Sequence, residues 1–145
     1  MIKITQEPID ISAVTASVAD EGARATVLFL GTVRDHGDNG SVSEMYYEAY
    51  VDMAQEAMKK IEQEAILRWN LRKFTAIHRI GTQKVGEVSV AIAASSEHRK
   101  EAFEACKYAI DTLKKSVPIW KKEISASSAR WVKGVKLEDN LDGHV

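Results

Sequence analysis

A chain of 145 residues can bury roughly two-thirds of the surface that its unfolded form exposes, so a single domain over 1–145 with a core of its own is expected. Its 20 basic and 21 acidic side chains leave a formal charge of -1, which argues against a dedicated nucleic-acid or membrane-surface protein and leaves room for a local basic pocket. The single cysteine, Cys106, excludes an internal disulfide and a paired-thiol metal or redox site, and fits a reducing, cytoplasmic location.

The N-terminal MIKITQEPIDIS has no apolar leader region, and no window approaches the ~20 apolar residues of a membrane span, so a soluble protein is expected. Residues 2–6 alternate as a short strand, and 9–18 form a first helix behind Pro8 with Asp10 or Ser12 as its cap. ATVLFLGTV (25–33) is a β-rich run ending in the glycine-bearing loop RDHGDNGS, and SEMYYEAY (43–50) resumes as a strand. Residues 25–50 therefore read as an antiparallel pair joined by a long loop.

From Val51 to Trp69, Met53, Ala57, Ile61, Ala65 and Leu67 recur near helical spacing and predict an amphipathic helix. FTAIHRIG (74–81) and VSVAIAAS (88–95) read as strands around the turn GTQKVGE. Ser95 or Ser96 then caps a helix starting near Glu97, with Phe103, Cys106, Ile110 and Leu113 as its buried stripe. Pro118 stops that helix, IWKKEISA follows as a strand, and a short strand at 130–133 leads to a polar tail. Helices and strands mix without strict βαβ alternation, so the fold class is α+β, a mainly antiparallel sheet with about three helices. There is no internal repeat, low-complexity tract or linker.

The phosphate-loop, dinucleotide, zinc-protease and nucleophile-elbow motifs are all missing, so no metal and no bound cofactor are expected. What remains is a set of cationic groups at element ends. Arg34 sits in a glycine-bearing loop where backbone N–H groups and a guanidinium can hold a phosphate, although pairing with Asp35 or Asp38 would explain it as well. His98 and Arg99 lie at a helix N-terminus, where cations are disfavoured unless an anion binds; Arg99 is equally readable as a snorkelling edge residue. Lys114 suits the negative end of the same helix, and Lys115 points to solvent.

Beyond the proline, Trp120 and Ile124 share one face of a strand and Lys121 takes the other. A bend at Ser116–Pro118 brings Lys121 back beside Lys114, where two ammonium groups lower each other's pKa. His98 and Lys114 are 16 positions apart on one helix, roughly 24 Å, so they cannot share a small-ligand pocket within one chain. If both function, the pocket is completed across a symmetric dimer. Cys106, in the middle of the buried stripe with no basic neighbour, reads as a core residue.

FLGTVRDHGDNGSV (29–42), YYEAY (46–50), HRIG (78–81), SSEHRKEAFEACKYAIDTLKKSVPIWKKE (95–123) and RW (130–131) together resemble the large, catalytic subunit family of molybdopterin synthase. That resemblance implies an α/β-hammerhead-like homodimer, each end carrying a small ubiquitin-like sulfur-carrier subunit to make a heterotetramer. The carrier's C-terminal Gly-Gly thiocarboxylate would deliver two sulfurs to cyclic pyranopterin monophosphate, forming the dithiolene of molybdopterin. Carried onto this sequence, Thr32, Val33, Arg34, His98, Arg99, Lys114, Lys121, Lys122 and Glu123 match the family's substrate-contacting positions, with Lys114 and Lys121 as its catalytic lysines. The alternatives are a non-catalytic module that docks an acidic peptide or nucleic acid through its basic cluster, and a structural dimer whose lysines are solvated caps.

Overall fold

The computed structural model describes residues 1–38, 40–125 and 129–132. The first sheet is built from β1 (Ile2–Thr5), β2 (Ala25–Thr32), β6 (Lys73–Arg79) and β8 (Val88–Ser96), in the order β1-β6-β8-β2. Only the β1–β6 pair in it is parallel. The second sheet takes β5 (Glu44–Ala49), β7 (Gly81–Lys84), β9 (Ile119–Ile124) and β10 (Ala129–Trp131) in the antiparallel order β10-β9-β5-β7. A short hairpin, β3 (His36–Gly37) with β4 (Gly40–Ser41), pairs with neither. Three helices, α1 (Ile11–Ser17), α2 (Val51–Trp69) and α3 (Arg99–Ser116), are found among the described residues, which gives the expected α+β class. None of them is long and apolar enough to cross a membrane.

The first sheet is covered on both faces. On one, Val14 and Val18 of α1 pack on Ile77, Ala91 and Ala93. On the other, α2 and α3 pack over Phe74, Ala76, Val90, Ile92 and Ala94. Asp10 is the cap of α1, its Oδ1 accepting the Ala13 N–H at 3.1 Å, while Ser12 lies inside the helix.

Helix α2 runs over the expected residues with a shifted face. Ala54, Met58, Ile61 and Ala65 are buried, at spacings of 4, 3 and 4, whereas Met53 and Leu67 are 56% and 82% exposed. Position 53 lies about 110° and position 67 about 150° of helix rotation from the middle of that row, so both face water. In α3 the buried row is Ala102, Ala105, Cys106, Ala109 and Leu113; Phe103, expected inside, is 61% exposed. Its N-cap is His98, without a side-chain cap bond, because Ser95 and Ser96 belong to β8. The helix stops where expected: Val117, ahead of Pro118, is extended at ψ 127°.

The largest departure concerns pairing. Strands β2 and β5 do not pair; β2 runs along β8, and β5 lies between β9 and β7. The expected turn between β6 and β8 contains β7, which joins the second sheet. The first sheet is left at Val33, whose N–H donates to Glu87 O at 2.9 Å, and the second is entered at Ser43, whose N–H donates to Ile124 O at 2.7 Å. Of the last expected strand, β10 supplies Ala129–Trp131, and Lys133 with the polar tail lies outside the described residues.

Met58→Ala removes a fully buried side chain on the observed α2 face and should cost about 2–5 kcal/mol in urea unfolding. Leu67→Ala should change stability by under about 0.5 kcal/mol; equal losses would contradict the observed helix face.

Candidate functional site

A cavity of about 490 Å³ opens where the end of the first sheet, the C-terminal half of α3 and the second sheet meet. Phe29, Gly31, His78 and Val90 contribute from the first sheet, Ile110, Leu113 and Lys114 from α3, and Met45, Tyr47, Ile119, Lys121 and Glu123 from the second sheet. The β2–β8 register shifts between Gly31 and Thr32, and this irregularity releases Thr32, Val33 and Arg34 onto the cavity rim. Gly31 has no room for a side chain, since a Cβ there would lie 2.6 Å from Val90 Cγ1.

Six of the sequence-derived residues, Thr32, Val33, Arg34, Lys114, Lys121 and Glu123, therefore line one cavity. Three do not. Lys122 lies on the opposite face of β9, its ammonium 5.4 Å from the Tyr46 ring and 5.0 Å from the Trp131 ring, where it clasps β10 to the sheet. Its face also carries buried Trp120, packed edge-on against Tyr50 at 4.9 Å. His98 and Arg99 are exposed at the far end of α3.

Alternation along β9 explains the split, because Ile119, Lys121 and Glu123 point into the cavity while Trp120 and Lys122 point away. Burial lowers the pKa of Lys121 from its ordinary value; Lys114 and Arg34 push in the same direction, against Glu123 and Asp38. Glu123 is 6% exposed and lies against the β3–β4 hairpin, where a Cβ on Gly37 would overlap its carboxylate. Only a glycine at 37 lets the hairpin and this carboxylate approach so closely. The thiol of Cys106 is core: burial pushes its pKa up to about 12, and Sγ donates to Val27 O at 3.6 Å. A thiolate nucleophile from this side chain is thereby disfavoured.

Sequence reasoning missed two groups on the cavity wall. His78 is 5% exposed and stands edge-on to the half-buried Tyr47, ring centroids 5.0 Å apart. Desolvation brings the His78 pKa down to about 4, with the Lys121 charge adding to it and the bond to Arg79 O opposing it. Burial raises the Tyr47 pKa, the Ser89 hydroxyl opposing and Glu123 adding to the effect. The available signal was a histidine closing an apolar strand, two residues on from Ala76 and four from Phe74.

A family model described as MoaE protein matches residues 4–116. The chain belongs to the MoaE family. A Drosophila melanogaster protein named molybdopterin synthase catalytic subunit is 47% identical over 124 residues, covering 85% of this chain and 34% of that protein. The chain thus spans about a third of that relative's length. A Pyrococcus abyssi relative of the same name is 38% identical over 128 residues, covering 88% of this chain and 86% of its own. Among solved structures, molybdopterin synthase from Staphylococcus aureus superposes with a TM-score of 0.85 at 36% identity, over 90% of this chain and 95% of that one. The family and the fold class read from the sequence are therefore both right, and the pairing of β2 with β5 is the largest part of the fold that needed correction.

With a folded-state pKa of about 4 against an ordinary 6.5, His78 takes up its proton more readily in the unfolded chain. Its stabilising contribution is present above pH 6.5 and is lost as the pH falls toward 4, an effect of about 3 kcal/mol. Urea unfolding across that range should show this slope in the parent and lack it in His78→Gln; superimposable profiles would show that the histidine is not held neutral.

Proposed function

We propose that this chain is the catalytic subunit of a molybdopterin synthase, transferring sulfur from the C-terminal Gly-Gly thiocarboxylate of a small carrier protein to cyclic pyranopterin monophosphate. The observation that carries the reading is the convergence of Arg34, Lys114 and Lys121 with buried Glu123 on one cavity. Cations in a partly dry pocket suit a phosphorylated substrate and a carboxylate-like donor. A core thiol with its pKa near 12 suits sulfur that arrives from outside.

Each transfer exchanges sulfur for oxygen: the substrate carbon gains a C–S bond and loses a C–O bond, and the carrier terminus ends as a carboxylate. Lys114, exposed at the end of α3, stabilises charge on the carrier's carbonyl oxygen. Lys121, whose pKa burial lowers from its ordinary value, moves protons or orients the substrate. Arg34 holds the phosphate.

His98 and Arg99 enter this scheme from a second copy of the chain. Arg99, exposed Phe103, Ile110 and Lys114 lie on one stripe of α3, and the pairs 99/114 and 103/110 share a midpoint. Two α3 helices packed antiparallel about that midpoint would bury Phe103 against Ile110 and set Arg99 of one copy beside Lys114 of the other. Two carrier subunits on such a homodimer make a heterotetramer.

Lys114→Ala and Lys121→Ala, assayed for molybdopterin formation with thiocarboxylated carrier, should each lose at least about 100-fold in turnover. Near-normal turnover in both would sink the proposal. Mixing a His98→Ala/Arg99→Ala chain with a Lys114→Ala chain should restore about one working pocket per heterodimer; heterodimers that form without recovery would argue against a shared site.

A further inference from the structure

We propose that His78 is a specificity-determining residue of the cavity, its Nε2 accepting a hydrogen bond from a ring N–H of the substrate's flat heterocycle. The proposal rests on the substrate reading above and adds to it a group that recognises hydrogen rather than charge.

The tautomer follows from one contact. Nδ1 of His78 lies 2.8 Å from the carbonyl oxygen of Arg79, and a carbonyl only accepts, so Nδ1 carries the proton. With the ring neutral, Nε2 is a bare acceptor. No hydrogen bond to it is present among the described residues. The ring cannot readily turn away, because it is 5% exposed and braced edge-on by Tyr47.

The ring's place in the fold gives that acceptor a direction. Along β6, side chains at 74, 76 and 78 share the face that carries the helices, and Phe74 and Ala76 are covered by them. His78, opposite Val90 of β8, is the member of the row that reaches the cavity. It sits on the floor, whereas Arg34 and Lys114 are exposed at the mouth. A carrier tail that reacts beside Lys114 stops at the mouth, so the group that reaches His78 belongs to the small molecule.

The neighbouring walls, Phe29, Tyr47 and Val90, are flat or apolar and suit a planar ring. Lysine and arginine heads only donate and hold the anionic part, while an uncharged acceptor selects a ring edge that donates. Burial keeps the imidazole neutral down to about pH 4, so this selection persists throughout the neutral range. A buried acceptor left unpaired penalises a ligand that lacks the donor, and this is how such a site discriminates.

The test uses the full-length protein with two probes, pterin followed by its fluorescence and inorganic phosphate followed by calorimetry. His78→Phe keeps the ring shape and removes the acceptor; it should weaken pterin at least about tenfold and leave phosphate affinity within about twofold. His78→Gln, which retains a carbonyl acceptor, should recover part of the loss. Pterin affinity unchanged in a folded His78→Phe protein overturns the proposal. The unaltered protein gives a second measurement that needs no variant: a pterin methylated at the ring N–H should bind at least about tenfold more weakly, and equal binding overturns the proposal. Absence of phosphate binding to the unaltered protein would instead overturn the substrate reading, and the two pterin comparisons would still decide the role of His78.

Discussion

The close approach of α3 to the first sheet is the contact on which the cavity depends. Ala102, Ala105 and Ala109 face β8 and β2, where Ala94 and Val27 meet them, and Cys106 reaches the Val27 carbonyl. Small side chains on both surfaces let the helix lie low on the sheet, and the dense packing that results fixes its axis. Lys114, one residue past the last buried position of α3, is therefore held beside the cavity rather than left on a mobile end. Pro118 then turns the chain at once into β9, so Lys121 returns to face the same space.

Charge in the cavity is arranged in opposition. Lys114 and Arg34 act on Lys121 in one sense, and Glu123 and Asp38 in the other. Without the acids, burial and two neighbouring cations would drive the Lys121 proton off more strongly; without the cations, the acids would hold it fast. The hairpin β3–β4 contributes through Asp38 and through Gly37, whose missing side chain makes room for Glu123. His78 sits outside this balance as an uncharged group on the floor.

Elements that bury one face were legible in the sequence, and the helices α2 and α3 were found within a residue or two of their ends. Which face of each was buried was read less well. Met53, Leu67 and Phe103 are large and apolar and yet exposed: in α2 the buried row Ala54, Met58, Ile61 and Ala65 runs on another face, and in α3 alanines take most of the interior because that helix lies close to the sheet. Strand partners were read least well, since β2 and β5 are adjacent in sequence and belong to different sheets. Alternation shows which side of a strand is wet and says nothing about which strand lies beside it.

For the site, the sequence by itself determined that cations gather at element ends, that Lys121 opposes Trp120 across a strand, and that one helix is too long for His98 and Lys114 to meet within a chain. These follow from the period of a strand, the rise of a helix and the stop at a proline, which are local properties of the backbone. Only the tertiary structure decided that Thr32, Val33, Arg34, Lys114, Lys121 and Glu123 share one cavity, that Lys122 turns away into an aromatic clasp, and that His78 forms part of the floor. Those outcomes depend on how two sheets and a helix meet at a common edge, and that meeting is set by the summed packing of residues distant along the chain.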